Sequence, residues 1–167
     1  MKRVLSCRGS WLLVALLACA PVMGVAQTHP MESAPKLSVH TLDGKTFDLA
    51  AERGKWVIVN FWATWCSPCI AEMPAISKYV AAHRNVAAVG LAYQPESLAD
   101  VLKFAHEHPV DYPLARIDMQ HPPAGWEMPA GLPTTDLIAP DGHLAKRFIG
   151  PVDAKLLDAA IAAAAKH

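Results

Sequence analysis

Two cysteines separated by two residues, Cys66 and Cys69, stand where a strand-like run gives way to a helix-like one, and this junction constrains the fold more than any other feature of the chain. The run before it, Lys55-Trp56-Val57-Ile58-Val59-Asn60-Phe61-Trp62, is β-branched and aromatic, as a buried strand should be. After it, Ile70, Met73, Ile76, Tyr79 and Val80 recur at helical spacing, and Pro68 suits a first helical turn, where a missing amide proton leaves no bond unmade. Cys66 is therefore expected just before a helix N-terminus. Free amide donors and the positive end of the helix dipole stabilise a thiolate there, which lowers the thiol pKa and activates the sulfur at neutral pH. A pair at this spacing can open and close a small-ring disulfide.

The other cysteines do not compete for the same chemistry. Of four in the chain, Cys7 and Cys19 fall in an N-terminal stretch that reads as an export signal, with basic Lys2, Arg3 and Arg8 followed by an apolar run over residues 11–20. A closed zinc site takes about four ligands from cysteine and histidine. His83, His106, His108, His121 and His143 are scattered, and the His106-Glu107-His108 run falls where a helix should end. No metal and no other cofactor is expected, and redox chemistry is the better use of the pair.

The signal has two readings. Gly24-Val25-Ala26 offers small residues for cleavage before Gln27 and a soluble product, whereas Leu16-Leu17-Ala18-Cys19 resembles a lipoprotein signal, with Cys19 lipidated and attached to the membrane. An uncleaved anchor ranks third, because the apolar run is shorter than the roughly 20 residues that span a bilayer. All three place the chain outside the cytoplasm, in the periplasm or cell envelope of a bacterium. Residues 1–26 are thus signal, 27–35 a polar tether and 36–167 one domain. The chain carries 15 basic and 15 acidic side chains, and loss of the three basic signal residues leaves a net charge of about −3, which gives no reason to invoke nucleic acid.

Strand and helix signals alternate along the domain. Residues 36–40 and 45–49 flank Asp43-Gly44 as a hairpin. The strand ending at Trp62 and the cysteine-bearing helix follow, then a strand over 86–92 and a helix capped by Ser97 and ended by Pro109. A short strand over 113–117, a second hairpin of 134–139 with 144–149 around Asp141-Gly142, and an alanine-rich helix capped by Asp153 complete the order. It predicts an α/β fold, a mixed central sheet covered by helices on both faces.

The segment Val59-Asn60-Phe61-Trp62-Ala63-Thr64-Trp65-Cys66-Ser67-Pro68-Cys69 resembles the active site of the TlpA/ResA-like branch of the thioredoxin superfamily, and Gly131-Leu132-Pro133-Thr134-Thr135 resembles that branch's cis-proline loop. The likeness runs from about Pro35 to the C-terminus. It implies a thioredoxin fold with an added N-terminal β-hairpin and a thiol-disulfide oxidoreductase. Cys66 would attack a substrate disulfide and Cys69 would resolve the mixed disulfide. Glu72, three residues beyond Cys69 on the same helix face, matches the family's functional acid and would take the proton of the deeper thiol; an acid answering the helix dipole is the competing reading. Asn60 stands where thioredoxin has a buried aspartate, which leaves the acid's work to Glu72.

Trp65 would shield the disulfide and offer substrate an apolar contact, while Phe61 and Trp62 read as core and Pro74 as a helix kink. A cis bond before Pro133 would turn the backbone of Leu132 outward beside Cys66, where, with Thr134, it would meet an extended substrate peptide. The resemblance implies a reductase of protein disulfides, supplied with electrons by a membrane thiol donor of the DsbD type and acting in processes such as cytochrome c maturation. A dithiol oxidant or isomerase, and a copper carrier on the same fold, are the alternatives. A peroxidase of the peroxiredoxin kind is disfavoured, because Ala63 occupies the position three before Cys66 where its threonine belongs. Two features depart from the family pattern: the long segment 119–131, rich in proline and carrying Trp126 and Met128, and Asp136 in a strand where an apolar residue is usual. The aspartate is either solvent-facing or a second buried acid acting on the thiols.

Overall fold

The computed structural model describes residues 35–93, 97–118, 121–123 and 126–166. The signal, Cys19 and its alternative cleavage site lie outside the described residues, as does the tether except Pro35. No helix among the described residues is long and apolar enough to cross a membrane.

Strand β3 (Trp56–Trp62) is buried at every position, which accounts for its unbroken apolar run around Asn60. The cysteine-bearing helix α1 (Ser67–Ala82), with Pro74 inside it, leads to β4 (Val86–Ala92), and helix α2 (Leu98–Glu107) leads to β5 (Leu114–Arg116). A hairpin of β6 (Thr134–Ile138) and β7 (Leu144–Ile149) precedes helix α3 (Ala154–Ala164). The strands form one mixed sheet in the order β5-β4-β3-β6-β7, with β3, β4 and β5 parallel and β6 antiparallel to β3. A separate antiparallel pair, β1 (Ser38–His40) and β2 (Thr46–Asp48), turns at Gly44, whose φ of +82° suits glycine. The chain leaving β1 then ties to the sheet edge: Thr41 bridges Ala115, and the Leu42 N–H donates to the Leu114 carbonyl at 2.7 Å. This is the thioredoxin fold with its added hairpin.

The helical cover is distributed differently from the sequence expectation. Both crossovers, β3-α1-β4 and β4-α2-β5, step the same way along the sheet, so a right-handed connection puts both helices on one face. The core on that face joins Ile58 and Trp62 to both cysteines, Met73 and Tyr79 of α1, Val101 and Phe104 of α2, and Leu157 of α3. Among the described residues, the opposite face, with Val57, Val59 and Phe61, is covered by Phe47 of the hairpin, Trp126, and Leu49 of a single 3-10 turn, Leu49–Glu52. Among the described residues, helical cover on that face is thus one short turn.

Register assigns the polar residues of the sheet to these two faces. Asn60 pairs with Gly90 on one side and Thr135 on the other, whereas Val59 pairs with Asp136. Successive residues point to opposite faces, so Thr135 shares the cysteine face and Asp136 the far one. Asp136 is fully buried and held by Arg147 of β7, whose Nε and Nη2 donate to its two carboxylate oxygens at 2.7 Å each. The same guanidinium donates to the side chain of Glu127 at 3.0 Å and to its carbonyl at 2.8 Å, tying the segment before the proline loop to the sheet. Asp136 is therefore neither solvent-facing nor directed at the thiols.

Candidate active site

Cys66 is the N-cap of α1, with extended backbone (φ −87°, ψ 93°), and Pro68 lies in the first turn, as its fixed φ favours. The sulfurs of Cys66 and Cys69 are joined in a disulfide of 2.05 Å, and Cys66 Sγ also accepts a hydrogen bond from the Cys69 N–H at 3.3 Å. That amide is one of the donors a helix start leaves unpaired, so a thiolate at Cys66 would find it in place. Cys69 is fully enclosed, whereas Cys66 keeps a sliver of exposure between exposed Trp65 and exposed Ser67. Attack from outside therefore reaches Cys66 first.

Behind the pair, Glu72 is only 4% exposed. Asn60 Nδ2 donates to Glu72 Oε1 at 2.8 Å and to Thr135 Oγ1 at 2.9 Å, and the backbone N–H of Val152 donates to Glu72 Oε2 at 2.8 Å. Burial raises the pKa of this carboxyl; the bonds from Val152 and Asn60 oppose the rise without cancelling it. A carboxyl adjusted in this way, one helical turn beyond a thiol that must lose its proton, suits a general base. The competing reading, an acid answering the helix dipole, does not account for a buried side chain bonded to Asn60 of β3 and to the Val152 amide.

The substrate-facing residues proposed from sequence occupy distinct settings. Trp65 is 63% exposed beside Cys66. The Leu132–Pro133 peptide is cis, and Leu132 is half-buried against the same core cluster as both cysteines. Pro133 and Thr134 are buried: the Pro133 carbonyl accepts from the Gly150 N–H at 2.9 Å, and Thr134 Oγ1 donates to the Gly131 carbonyl at 2.8 Å. Thr134 thus closes the turn that presents Leu132. Trp126, carried by the long segment before the proline loop, is buried: its Nε1 donates to the Lys36 carbonyl at 2.9 Å and its ring meets Phe61 edge-on. Met128 is half-buried against the same far-face core.

Thr135 and Val152 escaped the sequence reading. Thr135 carries a signal only once β6 is set in register beside Asn60, and Val152 contributes an amide that any residue but proline would supply.

The chain matches the family model of the AhpC/TSA family over residues 30–147. It is 32% identical over 120 residues to the thiol-disulfide oxidoreductase ResA of Bacillus cereus, which spans 71% of this chain and 69% of that one. It is 28% identical over 166 residues to the ResA of Bacillus subtilis, spanning 93% and 90% of the two chains. Among solved structures, a thiol:disulfide interchange protein of the thioredoxin family from Chlorobium tepidum superposes with a TM-score of 0.64 at 31% identity, covering 78% of this chain and 94% of that one. Kinship and the bonded sulfurs lead to the same place: the chain belongs to the TlpA/ResA-like thiol-disulfide oxidoreductases of the thioredoxin superfamily.

Proposed function

We propose that the protein is a reductase of specific protein disulfides in a bacterial cell envelope, fed by a membrane thiol donor of the DsbD type and either soluble or held by lipid on Cys19. The buried Glu72 carries the choice of direction. A strong dithiol oxidant owes its potential to a stabilised reduced form. A carboxylate one helical turn from Cys69 does the reverse, because its negative charge opposes a second one on that sulfur. The reduced pair then gives up its electrons readily.

In the reductive cycle the Cys66 thiolate attacks a substrate sulfur and one substrate thiolate leaves. Cys69 passes its proton to Glu72 and attacks Cys66 Sγ; the Cys66–Cys69 bond forms, the mixed disulfide breaks and the second substrate sulfur departs as a thiolate. Trp65 and the Leu132 backbone would hold the substrate segment. The apolar N-terminal run and its two processing readings support the envelope setting.

The deciding experiment is the reduction potential of the Cys66–Cys69 pair in the purified protein, by equilibration against dithiothreitol or glutathione buffers at pH 7. A value near or below about −230 mV is expected, and one near about −120 mV would make the protein an oxidant instead.

A further inference from the structure

A buried ion pair gains little or nothing in stability over two well-packed apolar residues, because taking both charges out of water costs about what their attraction returns. Asp136 and Arg147 nevertheless form such a pair on the face of the sheet away from the cysteines. What the carboxylate holds is the plane of the guanidinium: Nε and Nη2 each meet one of its oxygens at 2.7 Å, a two-point grip that stops the fork from turning. The outer edge of the fork is thereby aimed at Glu127, where Nη2 donates to the backbone carbonyl at 2.8 Å and Nη1 to the side chain at 3.0 Å. The Glu127 side chain is 87% exposed, so its charge adds little, and the bond to the carbonyl is the one that fixes the chain. Lysine, a single point charge on a flexible stem, lacks the fork that grips both partners.

Glu127 opens the stretch that leads to the cis-proline turn. Trp126 is pinned beside it, through its bond to the Lys36 carbonyl and its contact with Phe61. At the far end of the stretch, Thr134 Oγ1 holds the Gly131 carbonyl and the Gly150 N–H holds that of Pro133. Strand β7 thus grips the loop twice, through Arg147 where it starts and through Gly150, the residue after the strand, where it ends. Leu132 packs against the cores of both faces of the sheet, which makes it the point where the chain crosses from the Trp126 side to the cysteine side. A displacement at Glu127 has only a few residues in which to fade before it reaches Leu132.

We propose that Arg147, held by Asp136, is a positioning residue for protein substrates: it fixes the segment from Glu127 to Gly131 so that Leu132 meets an extended substrate chain in one preset conformation. The proposal rests on the reading that the Leu132 backbone pairs with substrate. Arg147 itself touches neither sulfur. Its effect falls on binding, because a loop already ordered loses little freedom when a substrate segment pairs with it, whereas a loosened one must be ordered at that moment. The exchange between Cys66 and Cys69 proceeds on the other face of the sheet and is unaltered.

The test uses Asp136→Leu/Arg147→Met, which removes both partners together and strands no charge. Insulin reduction driven by dithiothreitol is followed over a range of insulin concentrations. Beside it is measured the second-order rate at which the reduced protein reacts with hydroxyethyl disulfide, a small disulfide with no peptide group to pair. The insulin assay runs whichever way the cysteine pair works in the cell, so its outcome is independent of the reductase assignment. Expected is a several-fold higher KM for insulin, with kcat, the hydroxyethyl disulfide rate and the reduction potential all those of the parent. An unchanged KM overturns the proposal, and so does an equal loss on both disulfides, which marks general damage to the site. Pro133→Ala is run in parallel: if it raises KM and the double variant does not, the loop binds substrate but Arg147 does not position it; if neither raises KM, the Leu132 contact falls as well.

Discussion

Replacing Arg147 by methionine should destabilise the domain without touching the thiols. Asp136 is fully buried on the face away from the cysteines, and two of its hydrogen bonds come from Arg147 at 2.7 Å. Removing one partner of a buried ion pair costs about 3–5 kcal/mol, because the remaining charge is stranded. The Arg147 side chain is 20% exposed, so water can reach the orphaned carboxylate from that side, and the low end, about 3 kcal/mol, applies. In a domain of this size that is roughly a 10 °C fall in Tm. With an m-value of about 2 kcal/mol/M, the urea midpoint falls by about 1.5 M. The assay is urea unfolding of the oxidised protein at pH 7, with the double variant Asp136→Leu/Arg147→Met as control. Exchanging both partners for apolar groups should recover most of the loss. A loss under about 1 kcal/mol would falsify the assignment of the pair to the scaffold. So would a change in reduction potential of about 30 mV, since that equals 1.4 kcal/mol for a two-electron couple and would return Asp136 to the thiol chemistry.

Glu72→Gln should separate stability from rate. The folded-state pKa of Glu72 is raised, so the native fold favours the protonated acid; its stabilising contribution is full below the unfolded carboxyl pKa and is lost as pH rises through the folded one. The variant should therefore match the parent in stability in acid and exceed it at neutral pH, while resolving mixed disulfides more slowly; stability curves at pH 4 and pH 8 beside single-turnover rates check both. Gly90→Ala would bring a Cβ to 2.5 Å from Leu114 Cδ2 and 3.0 Å from Trp62 Nε1. Overpacking of this kind costs about 1–3 kcal/mol, and an unfolding midpoint equal to the parent's would mean that the end of the Leu114 side chain moves aside freely.

Local features of the fold could be read from the chain because each has a local cause. The strands at Val86–Ala92 and Leu144–Ile149 are bounded by turns that the residues themselves announce. Ser97 and Asp153 cap their helices as expected, accepting from Asp100 N–H at 3.2 Å and Leu156 N–H at 2.8 Å. Cys66, Cys69 and Glu72 share one helix, so spacing alone related them. What escaped depends on pairing between distant segments. Asp136 reads as an anomaly until β7 sets Arg147 beside it, and the placing of α1 and α2 on one face follows from strand order, which local pattern does not encode.

The acid behind the disulfide is assembled from opposite ends of the domain. Thr135 meets Asn60 across a separation of 75 residues, and Val152 meets Glu72 across 80. Contacts so far apart in sequence close late, because the intervening loop entropy must first be overcome. The two cysteines are near neighbours in sequence, whereas the enclosure that sets the proton affinity of Glu72 needs these distant segments. The setting of Glu72 is thus complete only when the strand pair Thr134–Ile138 and Leu144–Ile149, and Val152 just after it, are in place against the cysteine-bearing helix.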